Sequence, residues 1–452
     1  MLAKIAQAVK SFKQNWSQEL EDEAIERACR EAGHEWRDRK LGPVVTVRLF
    51  LLQILWGNTA CNHVPRLAGL DVTGSAYCEA RGRLPLEALQ TLLTQCTTQM
   101  TECVRETGRW LGHRLFITAG SSFSMPDTEQ LREHFGQSGQ QQKGCGFPTA
   151  HWSALLHFGS GLFQKVVTSP LRTHDMADVP QLHPELEADD VLLGDRAFCS
   201  FVHVALLAAR RVHAILRAHQ RLLIDFTPGR PHAHPAHGKS AARKGLPRSR
   251  WIKTLGSEDQ IVEWFKPVDV PAWMSAEAFA TLPETLRVRE LRYRIARPGF
   301  RVREVTLATT LLDAEVYTKD DLATAYGLRW TVETCFAHLK TTMRMDVLRC
   351  ETVCGVTKEL TMFLLVYNLV RMTMLEAARR QSVPVDRISF VDALRWLANA
   401  QPGDELPKLV VNPRRPGRYE PRARKRRPKE YDLLNKPRAV LRETLRQQAL
   451  AA

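Results

Sequence analysis

The chain has 452 residues, of which 44% are hydrophobic and 25% charged, and a formal net charge of +15. This describes an ordinary soluble protein of two to four domains, and the excess of cations favours a polyanionic partner, nucleic acid before membrane. A secreted or membrane protein is not expected. The opening turns acidic at SQELEDE, and the longest apolar run, VVTVRLFLLQILWG (44–57), contains Arg48 and Gln53 and is too short to span a bilayer. Ten cysteines stand without a disulfide framework, which suits a reducing cytoplasm. Neither Cys350 and Cys354 nor Cys61 and His63 have a second pair at zinc spacing, so structural cysteines are the better reading.

Residues 1–105 read as a helical domain, either a DNA-binding module or a plain docking unit. SQELEDEAIERACREAG (17–33) and PLEALQTLLTQCTTQMTECVRE (85–106) have helical periodicity, and a short helix between them carries Arg81 and Arg83. From 114 the texture changes. RLFITAG is a short β-type run, and HWSALLHFGSGLFQKVVTS (151–169) predicts two strands around a Gly-Ser-Gly turn. A short helical piece follows near 175–187. DVLLGD (190–195) then predicts a strand ending in a carboxylate, followed by an apolar helix (198–211) and the strand VHAILRAH (212–219). The order β-β-β-α-β-α-β matches an α/β, ribonuclease-H-like core, begun by residues 110–219.

Residues 220–315 do not continue that order. They open with a basic loop rich in Pro, Gly and His, then give the strand-like runs WIKTLG, QIVEWFKPV, LRVRELRYRIA and REVTLATTLL. They predict a β-rich insertion, and RELRYRIA alternates basic and apolar residues as a strand with a solvated basic face does. Helices are expected again over 316–350, completing the core, and over 351–411. In the tail, 412–452, nine Lys/Arg stand against one Glu between 414 and 429, including Arg424, Lys425, Arg426 and Arg427. Such a segment has too few apolar residues to pack when free and suits electrostatic binding to DNA.

AYGLRWTVETCFAHLKTTMR (325–344) reads as a helix with Tyr326, Arg329, Glu333 and Lys340 at spacings of three, four and seven. On a continuous helix all four fall within an arc of roughly 60° and along roughly 21 Å. That is core-like spacing for residues that do not belong in a core. A salt-bridged surface stripe, Arg329 to Glu333 at i,i+4, explains it taken alone. With Asp195 at the end of a core strand and Glu333 on a returning helix, carboxylates converging on divalent metal explain it better. The first strand of that pattern should supply a third carboxylate near its end, where Ala119 stands.

The spacing Y-x₂-R-x₃-E-x₆-K resembles the signature of DDE transposases of bacterial insertion sequences, in the hairpin-forming cut-and-paste insertion-sequence-four family. LLGDRAFCS resembles that family's second-Asp segment, and AGSSFSMPDTEQLREHFG its first-Asp segment. The likeness runs from about 40 to 445. It implies Asp195 and Glu333 as ligands of two Mg²⁺ ions, which Mn²⁺ can replace. Tyr326, Arg329 and Lys340 would then hold the transposon end. It also implies double-stranded DNA as partner, a homodimer on paired ends, and an aromatic residue in the insertion holding a flipped base, with Trp251, Trp264 and Trp273 as candidates. Ala119 departs from the pattern because alanine cannot coordinate metal. Either an inactivating substitution or a decayed, domesticated copy explains it, and the intactness of the remaining pattern favours the first. In both cases this chain is expected to bind end DNA and to cut poorly or not at all.

Overall fold

A computed structural model describes residues 20–138, 144–230, 247–295, 304–400, 404–413, 434 and 436–451. The helices are α1 (Asp22–Glu31), α2 (Pro43–Leu55), α3 (Gly74–Arg83), α4 (Leu86–Cys103), α5 (Glu129–Phe135), α6 (Phe201–Ala209), α7 (Lys319–Leu328), α8 (Thr331–Ala337), α9 (Val353–Gln381), α10 (Phe390–Asn399) and α11 (Arg438–Ala451). Several one- or two-turn helices lie between them. The strands are β1 (Leu115–Ser124), β2 (Thr149–His157), β3 (Leu162–Pro170), β4 (Val191–Gly194), β5 (His213–Arg217), β6 (Arg248–Gly256), β7 (Asp259–Phe265), β8 (Thr285–Arg294) and β9 (Glu304–Thr309).

All nine strands join one mixed sheet in the order β3-β2-β1-β4-β5-β9-β8-β7-β6. The hairpin β2–β3 forms around Gly159–Gly161 as its sequence predicts. β4 and β5 run parallel to β1, each reached by a crossover. The insertion departs from expectation. β9 pairs antiparallel with β5, so 220–315 extends the core sheet rather than interrupting it. β5 leaves an edge with unpaired backbone groups, and β9 satisfies them.

Period-two alternation divides the core between the two faces of the sheet. Leu115, Ile117, Leu193, Ile215, Leu307 and Leu291 face α9 and the N-terminal helices. Phe116, Leu192, Ala214, Leu216, Val262 and Trp264 face α6 and the chain around Phe279. The helices before 105 therefore bury their apolar faces in the same core as the sheet. α9 is long and apolar enough to cross a membrane by length and composition, yet 78% of its most apolar window is buried inside the protein. RELRYRIA also differs from expectation. Arg289 is 1% exposed and grips Asp259 through two bonds of 2.8 and 2.6 Å. Arg292 pairs with Glu258 and Arg294 with Glu304, so much of the expected basic face is neutralised within the sheet.

His203 of α6 stacks its ring on that of His183 at 5.1 Å, with the two Nε2 atoms 3.1 Å apart. Burial lowers their pKa values to about 3 and about 4. The unfolded chain binds protons at both below pH ~6.5, while the folded chain stays neutral. The stability from keeping them neutral is therefore present above pH ~6.5 and lost as pH falls toward 4. Chemical denaturation at pH 7.5 and pH 5 should show a loss of up to about 2 kcal/mol per histidine, and replacing both by Gln should flatten it.

Candidate functional site

Position 119 and Asp195 come together at one end of the sheet. Ile117 pairs with Leu193 in the parallel β1–β4 ladder. Two residues further along the same face come Ala119, which is 8% exposed, and Asp195, just past the end of β4 and half-buried. Two glycines beside these positions fit tightly packed places on the other face of the sheet. A Cβ on Gly194 would stand 2.8 Å from Leu216 Cδ2 and 3.2 Å from Phe198 Cβ. On the opposite face of β1, a Cβ on Gly120 would meet the ring of His151 at 2.8 Å, and that ring pairs with Asp175 at 2.5 Å. The Asp195 carboxylate accepts a 2.8 Å bond from the Ala197 amide, which turns the chain away from the strand and toward α6.

The predicted helix 325–344 is not continuous. α7 ends at Leu328, and the amides of Arg329, Val332 and Glu333 bond three residues back, to Tyr326, Arg329 and Trp330. Such winding advances each residue by about 120° rather than 100°. After α8 the chain overcorrects, with a π-helix at His338–Thr342 closed by the Met343 amide on the His338 carbonyl. The four polar residues therefore leave the single stripe. Tyr326 is buried in the core at 4% exposure, whereas the Glu333 side chain is 57% exposed. Arg329 reaches Glu333 only at 4.0 Å.

Aromatic rings and cations lie close to these residues. The Arg329 side chain is 11% exposed, with its guanidinium over the Trp330 ring at 4.9 Å and the Tyr326 ring at 5.8 Å. Its Nε is buried without a hydrogen-bond partner, a donor position suited to an anion. Burial raises the Tyr326 hydroxyl pKa, opposed by Arg329 and Arg217, with Asp195 adding to the rise. Burial likewise pushes Tyr293 up to about 12. Both phenols are neutral at physiological pH. Lys340 Nζ donates to Ser122 O at 2.7 Å and Ser121 Oγ at 3.1 Å, and burial lowers its pKa against the pull of Asp346.

Arg217 escaped the sequence reading. It closes β5 immediately after Leu216, which pairs with Gly194, so it neighbours Asp195 across the ladder. The cation ending an otherwise apolar strand, HAILR, was the available signal.

Other predicted residues lie elsewhere. Arg81 is spent inside the protein: it donates to Gln53 Oε1 at 2.9 Å, approaches Cys350 Sγ at 3.4 Å and covers the Phe50 ring. Arg83 is 62% exposed and meets Glu79 only at 3.8 Å. Trp264 is 0% exposed and donates to Glu290 at 2.9 Å, because alternation along β7 sends it into the second core. It presents no ring to a base. Trp273 packs half-buried against that same core. Trp251 is half-buried on the edge strand β6. Arg424, Lys425, Arg426 and Arg427 fall outside the described residues.

Residues 110–369 match the transposase DDE domain family. The chain is 22% identical over 384 residues to the transposase InsG of insertion sequence element IS4 from Escherichia coli K12, covering 80% of this chain and 78% of that protein. It is 26% identical over 135 residues to the putative transposase InsZ of the same organism, covering 29% and 45% respectively. Among solved structures, the piggyBac transposase synaptic complex with hairpin DNA aligns over 87% of this chain and 79% of that one, with 8% identity and a TM-score of 0.45. The match to the DDE domain spans more than half of the residues, including β1, β4 and α8 with position 119, Asp195 and Glu333. The chain therefore belongs to the transposase DDE domain family, alongside the transposase of IS4.

Proposed function

We propose that this chain is the end-binding transposase of an insertion sequence whose cutting site lacks one of its three carboxylates. The observation that carries this reading is the alanine at 119. It lies midway along β1, just past the last rung of the β1–β4 ladder, on the face where a carboxylate would meet Asp195, and α8 packs against β1. The strand order β3-β2-β1-β4-β5 supports a ribonuclease-H-like core beneath the site.

The family depends on divalent metal. The donors present do not complete such a centre: Asp195 and Glu333 remain, and among the described residues no three His, Cys, Asp or Glu side chains gather to hold an ion. A chain with a carboxylate at 119 would be the Mg²⁺-dependent enzyme of cut-and-paste transposition, cutting through a hairpin and then joining the end to target DNA. The parent chain keeps the binding half of that activity, acting as a homodimer on paired ends. Support comes from the net charge of +15 and from the anion-suited Arg329 between two aromatic rings.

A non-catalytic regulator on the same fold is the second reading, which Ala119 also supports. Ala119→Asp separates the two. Mg²⁺-dependent nicking of DNA bearing the element's terminal repeats supports a transposase one substitution from activity. No nicking at the correct end leaves the regulator. For binding, Arg329→Ala should weaken end-DNA affinity about tenfold or more in a gel-shift titration, as expected for a desolvated charge-assisted contact. An unchanged affinity removes Arg329 from the interface.

A further inference from the structure

The family resemblance gives Lys340 to DNA, yet here its ammonium is turned inward onto the strand that carries position 119. It donates to Ser121 Oγ at 3.1 Å and to Ser122 O at 2.7 Å. Ser121 is two residues beyond 119, so alternation puts both side chains on the same face of β1. Just past Lys340 the backbone joins the same strand. The Ser124 amide bonds Asp346 O at 3.0 Å, the Leu348 amide bonds Ser124 O at 2.9 Å, and Ser124 and Val347 form a parallel bridge.

The π-helix makes this reach possible. Its wider winding, closed by the Met343 amide on His338 O, re-aims Lys340 relative to the face of α8 that bears Glu333. One polar side chain and one short backbone bridge thus fasten the first acidic strand to the element carrying the last acidic residue.

We propose that Lys340 and Ser121 are positioning residues that bolt β1 to the π-helix and so fix position 119 relative to Glu333. This builds on the catalytic reading above but describes a contact that exists whether or not residue 119 is acidic. The ammonium is thereby held at Ser121, two positions along the same face of β1 from residue 119.

Two measurements test the bolt. Hydrogen exchange on the parent chain reads it directly. Lys340→Met should speed exchange of the Ser124 and Leu348 amides by about tenfold, with Ser121→Ala in the same direction and Ser121→Thr restoring the parent rate. The amides of β4 and β5 should not change, which separates this role from general loosening. Mn²⁺ binding to the Ala119→Asp chain reads the consequence. Adding Ser121→Ala or Lys340→Met should weaken it about tenfold, and Ser121→Thr should not. Unchanged exchange at Ser124 and Leu348 in both variants overturns the proposal, as does acceleration spread evenly over the sheet. If Ala119→Asp itself gains no Mn²⁺ affinity, the catalytic reading fails, while the exchange rates still decide the bolt.

Discussion

Ala119→Asp is expected to raise Mg²⁺-dependent nicking of end DNA by about 10³-fold or more over the parent chain, equivalent to about 4 kcal/mol of barrier. Position 119 pairs with Ala154 across the β1–β2 ladder, and both are buried small residues, so a carboxylate enters a nearly closed place. Burying its charge costs stability unless a cation stands nearby. Lys340 supplies one on the same face, and a divalent ion would supply another. The variant should therefore be less stable than the parent without metal and should regain stability on adding Mg²⁺ or Mn²⁺, because only its folded state would bind the ion tightly. The parent's melting temperature should be indifferent to either ion. Equal metal responses in the two chains would sink the assignment of 119, even before a nicking assay.

Glu359→Ala is expected to cost about 3–5 kcal/mol of folding stability. Glu359 lies on α9 with 0% exposure. Its carboxylate accepts from Asn58 Nδ2 at 2.5 Å, from the Arg349 amide at 3.0 and 3.1 Å and from the Cys350 amide at 2.9 Å. Asn58 itself has a positive φ of 54°. One side chain thereby joins the N-terminal helices, the segment after the π-helix and the central helix. Truncating it leaves several donors unsatisfied in the core. Urea denaturation of parent and variant measures the loss, and a change below about 1 kcal/mol would show that these donors find other partners. End-DNA binding should weaken as well, since the segment carrying Arg349 and Cys350 loses its anchor to the helices before 105.

Much of the core sheet was legible in local pattern. The β-type run RLFITAG, the Gly-Ser-Gly hairpin and the apolar run VLLG before Asp195 place β1 through β4 from short-range rules alone. The insertion was half legible. Its strands are where the strand-like runs put them, but their union with β5 depends on pairing residues 94 positions apart, Ile215 with Thr309. No local rule encodes that partner. The buried Arg289–Asp259 pair failed for a related reason, because alternation names a face without saying whether protein or water covers it.

The candidate site divides along the same line. By itself, the sequence determined which chemistry is present: Asp195 at a strand end, Glu333 in the Tyr-Arg-Glu-Lys spacing, an alanine at 119 and a strong positive charge. Spacing and residue type carry that information, and folding does not alter it. Tertiary structure alone decided where those groups face. Tight winding after α7 breaks the ideal helical phase, so Tyr326 stays buried on α7 while Glu333, beyond the break, stands in solvent. Packing against β1 turns Lys340 inward, and strand alternation hides Trp264. Helical phase accumulates residue by residue, so one local change in winding, set by long-range packing, redirects every side chain after it.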